Sequence, residues 1–458
     1  MANFLQHRNE IGLQIPYVER DNKVTIYVIH VTMGPVRWQV KHRYSAFAAL
    51  HDILVADHGV SKELLPPKKV IGNQDPVFIE KRRAALETYL QSVTNFLKIA
   101  MPQELAYFLH FHQYEVLYLL QSLALQFFNE GDLLLQNSTS FKFTPLQLHA
   151  ISERLRQPCP PVDVPDKRLD FSHVLDFCCQ LTMVEVEGSN YPLNNSSLIP
   201  NKLPFNLSAF KSVRHLVMGE VDVTQIKEAQ NIRAHVHSLA VHHSQLRSVA
   251  TIAMCDALHK DICSAGENYI WHRLTELDLS FNYLEEIDES FRIMPHIKKL
   301  KLSHNKLNQV TGLTHLPQLS ELNLSANAFY SIKDLHTSLG NVVHLDLSEN
   351  HISTLGGFSK LYSLERLELA SNAVSDVSEA RHLSALPNLE YLTLTGNPVS
   401  TTVDYRTRVL ERFGNRAADI CLDNEKPNQK ELDTIAILQV LRVVREGRTP
   451  PPRTPRYS

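Results

Sequence analysis

Apolar residues recur at fixed intervals through the C-terminal half of this 458-residue chain. The stretch Leu274-Thr-Glu-Leu-Asp-Leu-Ser-Phe-Asn282 has leucines at its first, fourth and sixth positions and an asparagine at its ninth. The same asparagine returns, at spacings of 23, 22, 23, 22 and 25 residues, at Asn305, Asn327, Asn350, Asn372 and Asn397. Each copy predicts one short strand and a return segment, and parallel stacking of the copies buries the leucines.

This L-x-x-L-x-L-x-x-N pattern is that of leucine-rich repeats. The asparagines have a structural explanation, because a buried amide can satisfy backbone groups of neighbouring turns, and we assign them no chemistry. Three weaker copies without the asparagine extend the predicted solenoid toward the N terminus, at Leu181–Val186, Val213–Met218 and Val236–Val241. An excess of residues within 251–271 predicts a loop. After Asn397 the segment 398–423 leaves the repeat pattern and resembles the C-terminal cap of this repeat class.

The strand residues around the two central leucines of each repeat are expected to form two columns on a concave face. One column holds Glu276, Lys299, Glu321, His344, Arg366 and Tyr391, and the other holds Asp278, Lys301, Asn323, Asp346, Glu368 and Thr393. The face is therefore charged and of mixed sign. Partner binding and an ordinary solvated surface explain it equally well, because affinity usually resides in a few aromatic or Arg positions. The partner-binding candidates are Glu276, Lys299, Lys301, His344, Arg366 and Tyr391.

The N-terminal region shows a different periodicity. Lys23–Val31 is rich in β-branched residues, Gly34-Pro35 marks a turn and Trp38–Val40 follows as a second strand signal. Ser45–Ala56 and Glu80–Leu97 have apolar residues at helical spacing. Strands followed by helices indicate a small α+β domain.

The segments outside these two regions have their own patterns. Residues 118–157 are predicted to be helical, with Thr144-Pro145 as a cap and first turn, and Pro158–Pro165 forms a linker. Lys430–Glu446 predicts an amphipathic helix that docks on the solenoid end or on a partner. The tail Arg448–Ser458 is expected to be disordered, and its isolated P-x-x-P is weak support for an SH3 ligand.

Composition narrows the classes of function. With 46 basic and 49 acidic residues the chain is nearly neutral, so bulk attraction to nucleic acid is not expected and membrane affinity needs a local patch. The N terminus lacks the apolar run of a signal peptide, and the most apolar stretch, Val116–Phe128, is too short to span a bilayer. The six cysteines lack metal-ligand spacing and are expected to be reduced thiols in the cytoplasm.

Motifs of catalysis are not found in the sequence. It contains no P-loop, dinucleotide-binding glycine motif, G-x-S-x-G or H-E-x-x-H. The pairs His242-His243 and His110/His112 lie in apolar-flanked elements and lack Cys or carboxylate partners at metal spacing. We therefore expect a protein that is not an enzyme and has no cofactor or metal site.

The stretch Lys41-His-Arg-Tyr-Ser-Ala-Phe47, then Leu65-Pro-Pro-Lys68, then Lys81-Arg-Arg83 resembles the PX family of phosphoinositide-binding domains in type and order. The resemblance covers about residues 10–115. It implies that Arg43 holds the 3-phosphate, Tyr44 packs under the inositol ring, Lys68 meets the 1-phosphate and Arg82 meets the hydroxyls opposite. That set is similar to members that bind phosphatidylinositol 3-phosphate. Ala46 departs from the pattern, since many members have Asp there.

Two interpretations of the basic residues remain open. Most charge clusters are solvated faces, and Lys41, Arg43, Lys68, Lys69 and Lys81–Arg83 could form one. Their family order on a hairpin, a proline turn and a helix favours a lipid site instead. Apolar residues flanking the proline turn are candidates for insertion into a membrane: Val70, Ile71 and Phe78.

The order of the regions adds a further resemblance. The chain as a whole resembles the nischarin family in the order of its regions. These are an α+β PX domain (10–115), a helical connector and linker (116–174), an α/β leucine-rich-repeat solenoid with parallel strands (175–400), a repeat cap (401–425) and a C-terminal helix and tail (426–458). The segments that carry this are Val40–Ser45, Leu64–Lys69 and Leu422-Asp423.

This second resemblance implies an adaptor on the cytosolic face of early or recycling endosomes. Its implied partners are an integrin cytoplasmic tail and Rac and p21-activated kinase signalling proteins, and its implied effect is restraint of cell migration. The alternative is a cytosolic regulatory subunit of a phosphatase or kinase in which the PX-like domain contacts protein.

Overall fold

The computed structural model describes residues 1–21, 24–68, 75–99, 101–157, 166–257, 266–332, 335–337 and 339–445. They divide into two compact units. One contains Met1–Val213 and Glu220–Glu228, and the other contains Arg214–Gly219 and the chain from Ala229 onward.

The first unit begins with a three-stranded antiparallel sheet of order β1-β2-β3. Its strands are β1 Ile11–Asp21, β2 Val24–Met33 and β3 Val36–Arg43. The sequence predicted β2 and part of β3 but missed β1, whose pairing with β2 is shifted between Gln14 and Tyr17. Pro16 lies inside that irregularity, where a missing N–H disturbs no ladder hydrogen bond.

The helices of this unit are α1 Phe4–His7, α2 Tyr44–His58, α3 Pro76–Leu97, α4 Gln103–Phe108, α5 Phe111–Tyr114, α6 Val116–Asn137, α7 Pro145–Arg156 and α8 Ser172–Gln180. Trp38 of β3 is buried, and its Nε1 donates a hydrogen bond of 2.8 Å to the Leu109 carbonyl. Its ring packs edge-on against Phe111. The core of the α+β region therefore lies between the sheet and the helices that follow it.

A strand interrupts the segment that the sequence predicted to be helical. Ser140–Phe143 forms β4, which pairs in parallel with β5, Met183–Glu187. The cap predicted at Thr144-Pro145 is confirmed, since the Thr144 hydroxyl accepts from the Gln147 N–H and the Gln147 side chain accepts from the Thr144 N–H. The helical prediction was wrong at β4 because this four-residue strand depends on a partner about forty residues away in the sequence.

The described residues of the second unit contribute nine short strands to a parallel sheet in which strands next to each other in sequence are paired. The strands are β6 His215–Gly219, β7 Ser238–His242, β8 Glu276–Asp278, β9 Lys299–Lys301, β10 Glu321–Asn323, β11 His344–Asp346, β12 Arg366–Glu368, β13 Tyr391–Thr393 and β14 Cys421–Leu422. Short 3₁₀ turns such as Glu289–Ile293 and Val377–His382 form the return segments. The predicted leucine-rich-repeat architecture is confirmed, including strands at the weak copies.

The remaining helices of the second unit are α9 Gln230–His235, α10 Ala250–Ala253, α11 Tyr405–Glu411 and α12 Gln429–Arg445. The predicted C-terminal helix is α12, and its Ile435 is buried while Leu441 is exposed. Residues 258–265 of the predicted loop, Glu446 of the predicted helix and the predicted disordered tail, 448–458, lie outside the described residues.

The asparagine ladder has the structural role expected of it. Asn350 is buried, and its Nδ2 donates to the carbonyls of Leu324, Leu347 and Ser348 while its Oδ1 accepts from the Phe329 N–H. The side chain therefore links adjacent repeats through backbone groups that would otherwise be buried without partners.

Candidate functional site

The Arg43-Tyr44 pair lies where β3 ends and α2 begins. Arg43 is the last residue of β3 and the N-cap of α2, and its side chain is exposed. Among the described residues no side chain caps the first turn of α2, and that turn has no acidic residue. The N-terminus of α2, with its positive dipole end, therefore begins at an exposed arginine, and this combination favours an anion.

Arg82, in the second turn of α3, is packed between two aromatic rings. Its Cζ lies 4.6 Å from the centroid of the Tyr44 ring and 4.2 Å from that of Phe78, one helical turn earlier. The residue is only 9% exposed. Its Nε and Nη2 are buried and form no hydrogen bond of good geometry with the described residues, although Arg82 is close enough to the buried Tyr27 hydroxyl to oppose part of the rise that burial causes in the Tyr27 pKa. A charged group with unused donors in this position needs an acceptor, and a ligand would supply one.

Tyr44 connects Arg82 with the proline turn. Its hydroxyl donates a 2.5 Å hydrogen bond to the Pro66 carbonyl. Burial raises the pKa of the Tyr44 phenol, and the nearby charge of Arg82 opposes part of that rise. Lys68, two residues beyond Pro66, is exposed. The structure thus brings Tyr44 and Arg82 into contact and ties the segment that carries Lys68 to them.

Two of the insertion candidates, Val70 and Ile71, lie outside the described residues. The third, Phe78, is half-buried with its ring on the guanidinium of Arg82. Insertion of Phe78 into a membrane stays a prediction. Its neighbour Val77 is 63% exposed and presents an apolar surface at the start of α3.

The other basic residues of this region are engaged in ion pairs to different degrees. Arg83 contacts Glu80 at 2.7 Å and Glu87 at 3.4 Å and also donates to the Ile15 carbonyl, so it binds α3 to β1. Lys41 pairs with Glu19 at 2.8 Å. In the part of the chain that the structure describes, Arg43, Lys68 and Lys81 form no ion pair. The basic residues are therefore not equivalent members of one solvated face.

The predicted concave face of the solenoid is largely paired within itself. Lys299 contacts Glu321 at 3.1 Å, Lys301 contacts Asp278 at 3.8 Å, and His344 contacts Glu368 at 3.2 Å. Glu276 lies at the exposed start of β8. These side chains are partly solvated, so a partner that bound here would have to exchange existing ion pairs for its own.

Arg366 and Tyr391 form one contact on this face. The Cζ of Arg366 lies 4.4 Å from the centroid of the Tyr391 ring, and its Nη1 lies 3.6 Å from Glu368. Tyr391 keeps a partly exposed ring. Of the six partner-binding candidates, these two are of the residue types in which binding energy concentrates.

An exposed aromatic stack was not foreseen from the sequence. The Phe281 ring, 44% exposed, stacks at 4.2 Å on His304 and at 5.2 Å on His243, and all three residues have positive φ. Phe281 and His304 both occupy the position just before the repeat asparagine. A comparison of this position across the repeats would therefore have identified them as neighbours from the sequence.

Histidine pairs that could suggest a metal have other partners. His42 stacks on Phe108 at 3.9 Å, and burial lowers the pKa values of His42, His110 and His112. His242 lies 3.2 Å from Asp278. Within the described ranges, no group of three or more His, Cys, Asp or Glu side chains is placed to hold a metal ion.

Family models match two separate regions of the chain. A family model of the PX domain matches residues 30–112, and a model named leucine rich repeat matches residues 272–329 and 341–399. Among the residues that the structure covers, no helix is both long and apolar enough to cross a membrane.

Curated relatives match over short regions. The serine/threonine-protein kinase Sgk3 of Rattus norvegicus is 32% identical over 79 residues, which cover 17% of this chain and 16% of the relative. The PX domain-containing protein kinase-like protein of Rattus norvegicus is 42% identical over 72 residues, which cover 15% of this chain and 12% of the relative. The human serine/threonine-protein kinase 11-interacting protein is 28% identical over 109 residues, which cover 24% of this chain and 10% of the relative. The chain thus matches less than a fifth of the length of each of these relatives.

Solved structures with some likeness are leucine-rich-repeat proteins. An internalin from Listeria monocytogenes is 21% identical with a TM-score of 0.35, and the alignment covers 50% of this chain and 58% of that one. A leucine-rich-repeat protein of Leptospira interrogans is 19% identical with a TM-score of 0.39, and the alignment covers 57% of this chain and 58% of that one.

PX domains bind phosphoinositides, leucine-rich repeats mediate protein interactions, and both are typically non-catalytic. The kinases among the relatives match through the PX domain and not through a kinase domain. The chain has a PX domain followed by leucine-rich repeats, a combination that supports an adaptor role at membranes.

Proposed function

We propose that this protein is a non-enzymatic peripheral membrane adaptor whose PX domain binds phosphatidylinositol 3-phosphate. The observation that carries the proposal is the buried Arg82 guanidinium, which lies on the Tyr44 ring with unused N–H donors. Burying an unpaired charge is costly, so a purely structural arginine at this position would be expected to have an acceptor.

The roles of the site residues follow the PX resemblance. Arg43, at the open N-terminus of α2, holds the 3-phosphate through its guanidinium fork, and the helix dipole adds to the attraction. Tyr44 packs under the inositol ring, Arg82 donates to the hydroxyls opposite, and Lys68 meets the 1-phosphate. Val70, Ile71 and Phe78 then enter the lipid layer beside the headgroup.

The solenoid supplies the second contact of the adaptor. By resemblance to the nischarin family, its partners are an integrin cytoplasmic tail and Rac and p21-activated kinase signalling proteins, and the outcome is restraint of cell migration from the cytosolic face of early or recycling endosomes. Arg366 and Tyr391 are the proposed anchors on the concave face. Two weak contacts, one with lipid and one with protein, reinforce each other through effective concentration.

The test is flotation of the purified chain with liposomes that each carry one phosphoinositide, at near-physiological salt so that nonspecific attraction is screened. Arg43→Ala and Arg82→Ala are compared with Lys81→Ala, which removes an exposed charge from the helix that carries Arg82. We expect selective binding to phosphatidylinositol 3-phosphate that the first two variants lose and Lys81→Ala retains.

A solvated basic face predicts a different pattern, in which all three variants weaken binding alike and the lipids are not distinguished. If the folded protein binds no lipid at all, the proposal fails and the PX domain serves as a protein interface. The function would then be that of a cytosolic regulatory subunit of a phosphatase or kinase.

A further inference from the structure

The second unit contains a cleft of about 630 Å³ at the C-terminal end of the repeats. It lies between α11, α12 and the loop that leads into the 3₁₀ turn Val377–His382. Three arginines line it, from α11, the residue after α11, and α12: Arg408, Arg412 and Arg442. None of these residues belongs to the concave face or to the lipid site.

The carboxylates of the cleft neutralise only part of this charge. Glu411 is 6% exposed and lies 3.0 Å from Arg442 and 3.6 Å from Arg412. Asp376 accepts hydrogen bonds from the backbone N–H and the hydroxyl of Ser378, and these bonds hold its pKa below the usual range. Arg408 is exposed, and in the described part of the chain it has no carboxylate within ion-pair distance. Three guanidinium groups against two carboxylates leave one positive charge.

The lining also contains an unused donor. The Nε of Arg412 is buried and has no hydrogen-bond partner among the described residues, because the nearest oxygen of Glu411 is too distant for one. Buried N–H groups of arginine are normally satisfied, so this atom calls for an acceptor from outside the chain. Together with the uncompensated Arg408, it indicates a ligand with several oxygens and negative charge.

Apolar side chains border the same cleft. Leu438 and Leu441 of α12 line it, and Ile437 and Val440 of the same helix are exposed. A free anion would leave these residues in water, whereas a peptide can place an anionic group among the arginines and its neighbouring side chains on α12. A flat anionic membrane is a poorer fit, because the recessed lining includes the carboxylates of Asp376 and Glu411.

We propose that this cleft binds a phosphorylated serine or threonine side chain of a partner protein, with apolar residues next to the phosphorylated position. A phosphate monoester at neutral pH brings nearly two negative charges and three acceptor oxygens, which match Arg408 and the unused Nε of Arg412. The site gives the adaptor a phosphorylation-dependent partner in addition to any partner of the concave face.

The probe is a fluorescein-labelled degenerate peptide pool with a fixed Leu-phosphoserine-Leu core, measured by fluorescence anisotropy beside its unphosphorylated counterpart. The full chain is used in an Arg43→Ala background, so that phosphate bound at the PX site does not contribute. We expect saturable binding that is at least about 10-fold tighter for the phosphorylated pool and at least about 10-fold weaker in Arg408→Ala and Arg412→Ala. Arg292→Ala is the matched control, since it removes an exposed arginine from the turn Glu289–Ile293.

Several results would overturn the proposal. The phosphorylated pool could show no saturable binding, or the two pools could bind equally. The third result is that Arg408→Ala, shown by thermal unfolding to be folded, binds the phosphorylated pool as tightly as the protein without this substitution. Inorganic phosphate that binds as tightly as the phosphorylated pool would contradict a peptide source. Phosphatidylserine vesicles that bind in an Arg408-dependent manner would instead assign the cleft to a membrane. Because Arg43 is already replaced, failure here is distinct from failure of the lipid site.

Discussion

The guanidinium carbon of Arg82 lies 4.6 Å from the centroid of the Tyr44 ring. The contact joins α3 to the start of α2, and through the Tyr44 hydroxyl it extends to the Pro66 carbonyl. Three separate segments of the chain are therefore held around one cation by contacts within the protein. In the proposed site, these contacts orient Arg82 and the Tyr44 ring for the lipid headgroup, which reduces the entropy cost of association.

Arg82→Lys tests whether shape matters at this position as well as charge. Lysine keeps the positive charge but lacks the planar fork that stacks between the Tyr44 and Phe78 rings. We expect phosphoinositide affinity to fall by about 10-fold or more in liposome flotation, since an ammonium group cannot reproduce the fixed fork of N–H donors that the guanidinium offers to the headgroup. Retention of wild-type affinity by Arg82→Lys would show that only net charge is needed.

Tyr44→Phe separates the hydroxyl of Tyr44 from its ring. The variant keeps the surface under Arg82 and loses the hydrogen bond to Pro66. We expect a decrease of about 1 kcal/mol in the free energy of unfolding and an affinity loss of no more than a few fold. Tyr44→Ala should lose most of the lipid binding. Equal affinity losses in the two variants would mean that the ring does not contribute.

The asparagine ladder makes a prediction about stability. Asn350→Ala leaves the Phe329 N–H and the carbonyls of Leu324 and Leu347 without their side-chain partner. We expect the free energy of unfolding of the solenoid to fall by about 2–4 kcal/mol in urea titrations, because buried unsatisfied groups each cost roughly 1–3 kcal/mol. Asn341→Ala is the control, since this exposed residue makes one hydrogen bond, to the Pro317 carbonyl. Similar losses in both variants would argue against a special role for the ladder.

Glu115 gives stability a defined dependence on pH. It is the N-cap of α6, accepts from the N–H groups of Phe4 and Tyr118, and burial raises its pKa to about 7. The unfolded value is lower, near 4.5, so between these values the folded chain binds more protons than the unfolded chain. The contribution of Glu115 to stability is therefore largest below about pH 4.5 and is lost as the pH rises through about 7.

Glu115→Gln removes this titration. The difference in unfolding free energy between wild type and the variant should decrease from pH 4.5 to pH 7 and be constant above that, in denaturant titrations at several pH values. Glu63→Gln, which changes an exposed carboxylate outside α6, is the control for the loss of one negative charge. A difference that is constant across this range would contradict the raised pKa. Comparison with the variant also cancels the opposite effect of buried histidines such as His42 and His149.

The repeats could be predicted from the sequence because each one carries its own leucines and asparagine in register, and stacking needs only neighbouring copies. The strand β1 could not, because its exposed and charged residues and the irregularity near Pro16 hide the alternation of a half-buried strand. The strand β4 depends on pairing with β5, which no local pattern records. Non-local pairing overrode helical spacing in that segment.

The order of the residues in the chain predicted which of them form the proposed lipid site. It did not predict how they contact one another. The sequence placed the Arg43-Tyr44 pair, Lys68 and Arg82 on three separate elements. It did not indicate that Phe78 lies on Arg82 or that Arg83 binds β1. Both facts depend on how α3 is rotated about its own axis. The domain boundaries and the assignment of ligand roles stay predictions.

The proposed lipid site can be measured by isothermal titration of the purified 458-residue chain with soluble short-chain phosphatidylinositol 3-phosphate, beside Arg43→Ala, Arg82→Ala and Lys81→Ala. We expect saturable one-site binding to wild type and Lys81→Ala, and a loss of about 10-fold or more in the other two variants. Undetectable binding to folded wild type, or equal binding to all four proteins, would contradict a phosphoinositide site built around Arg43, Tyr44 and Arg82.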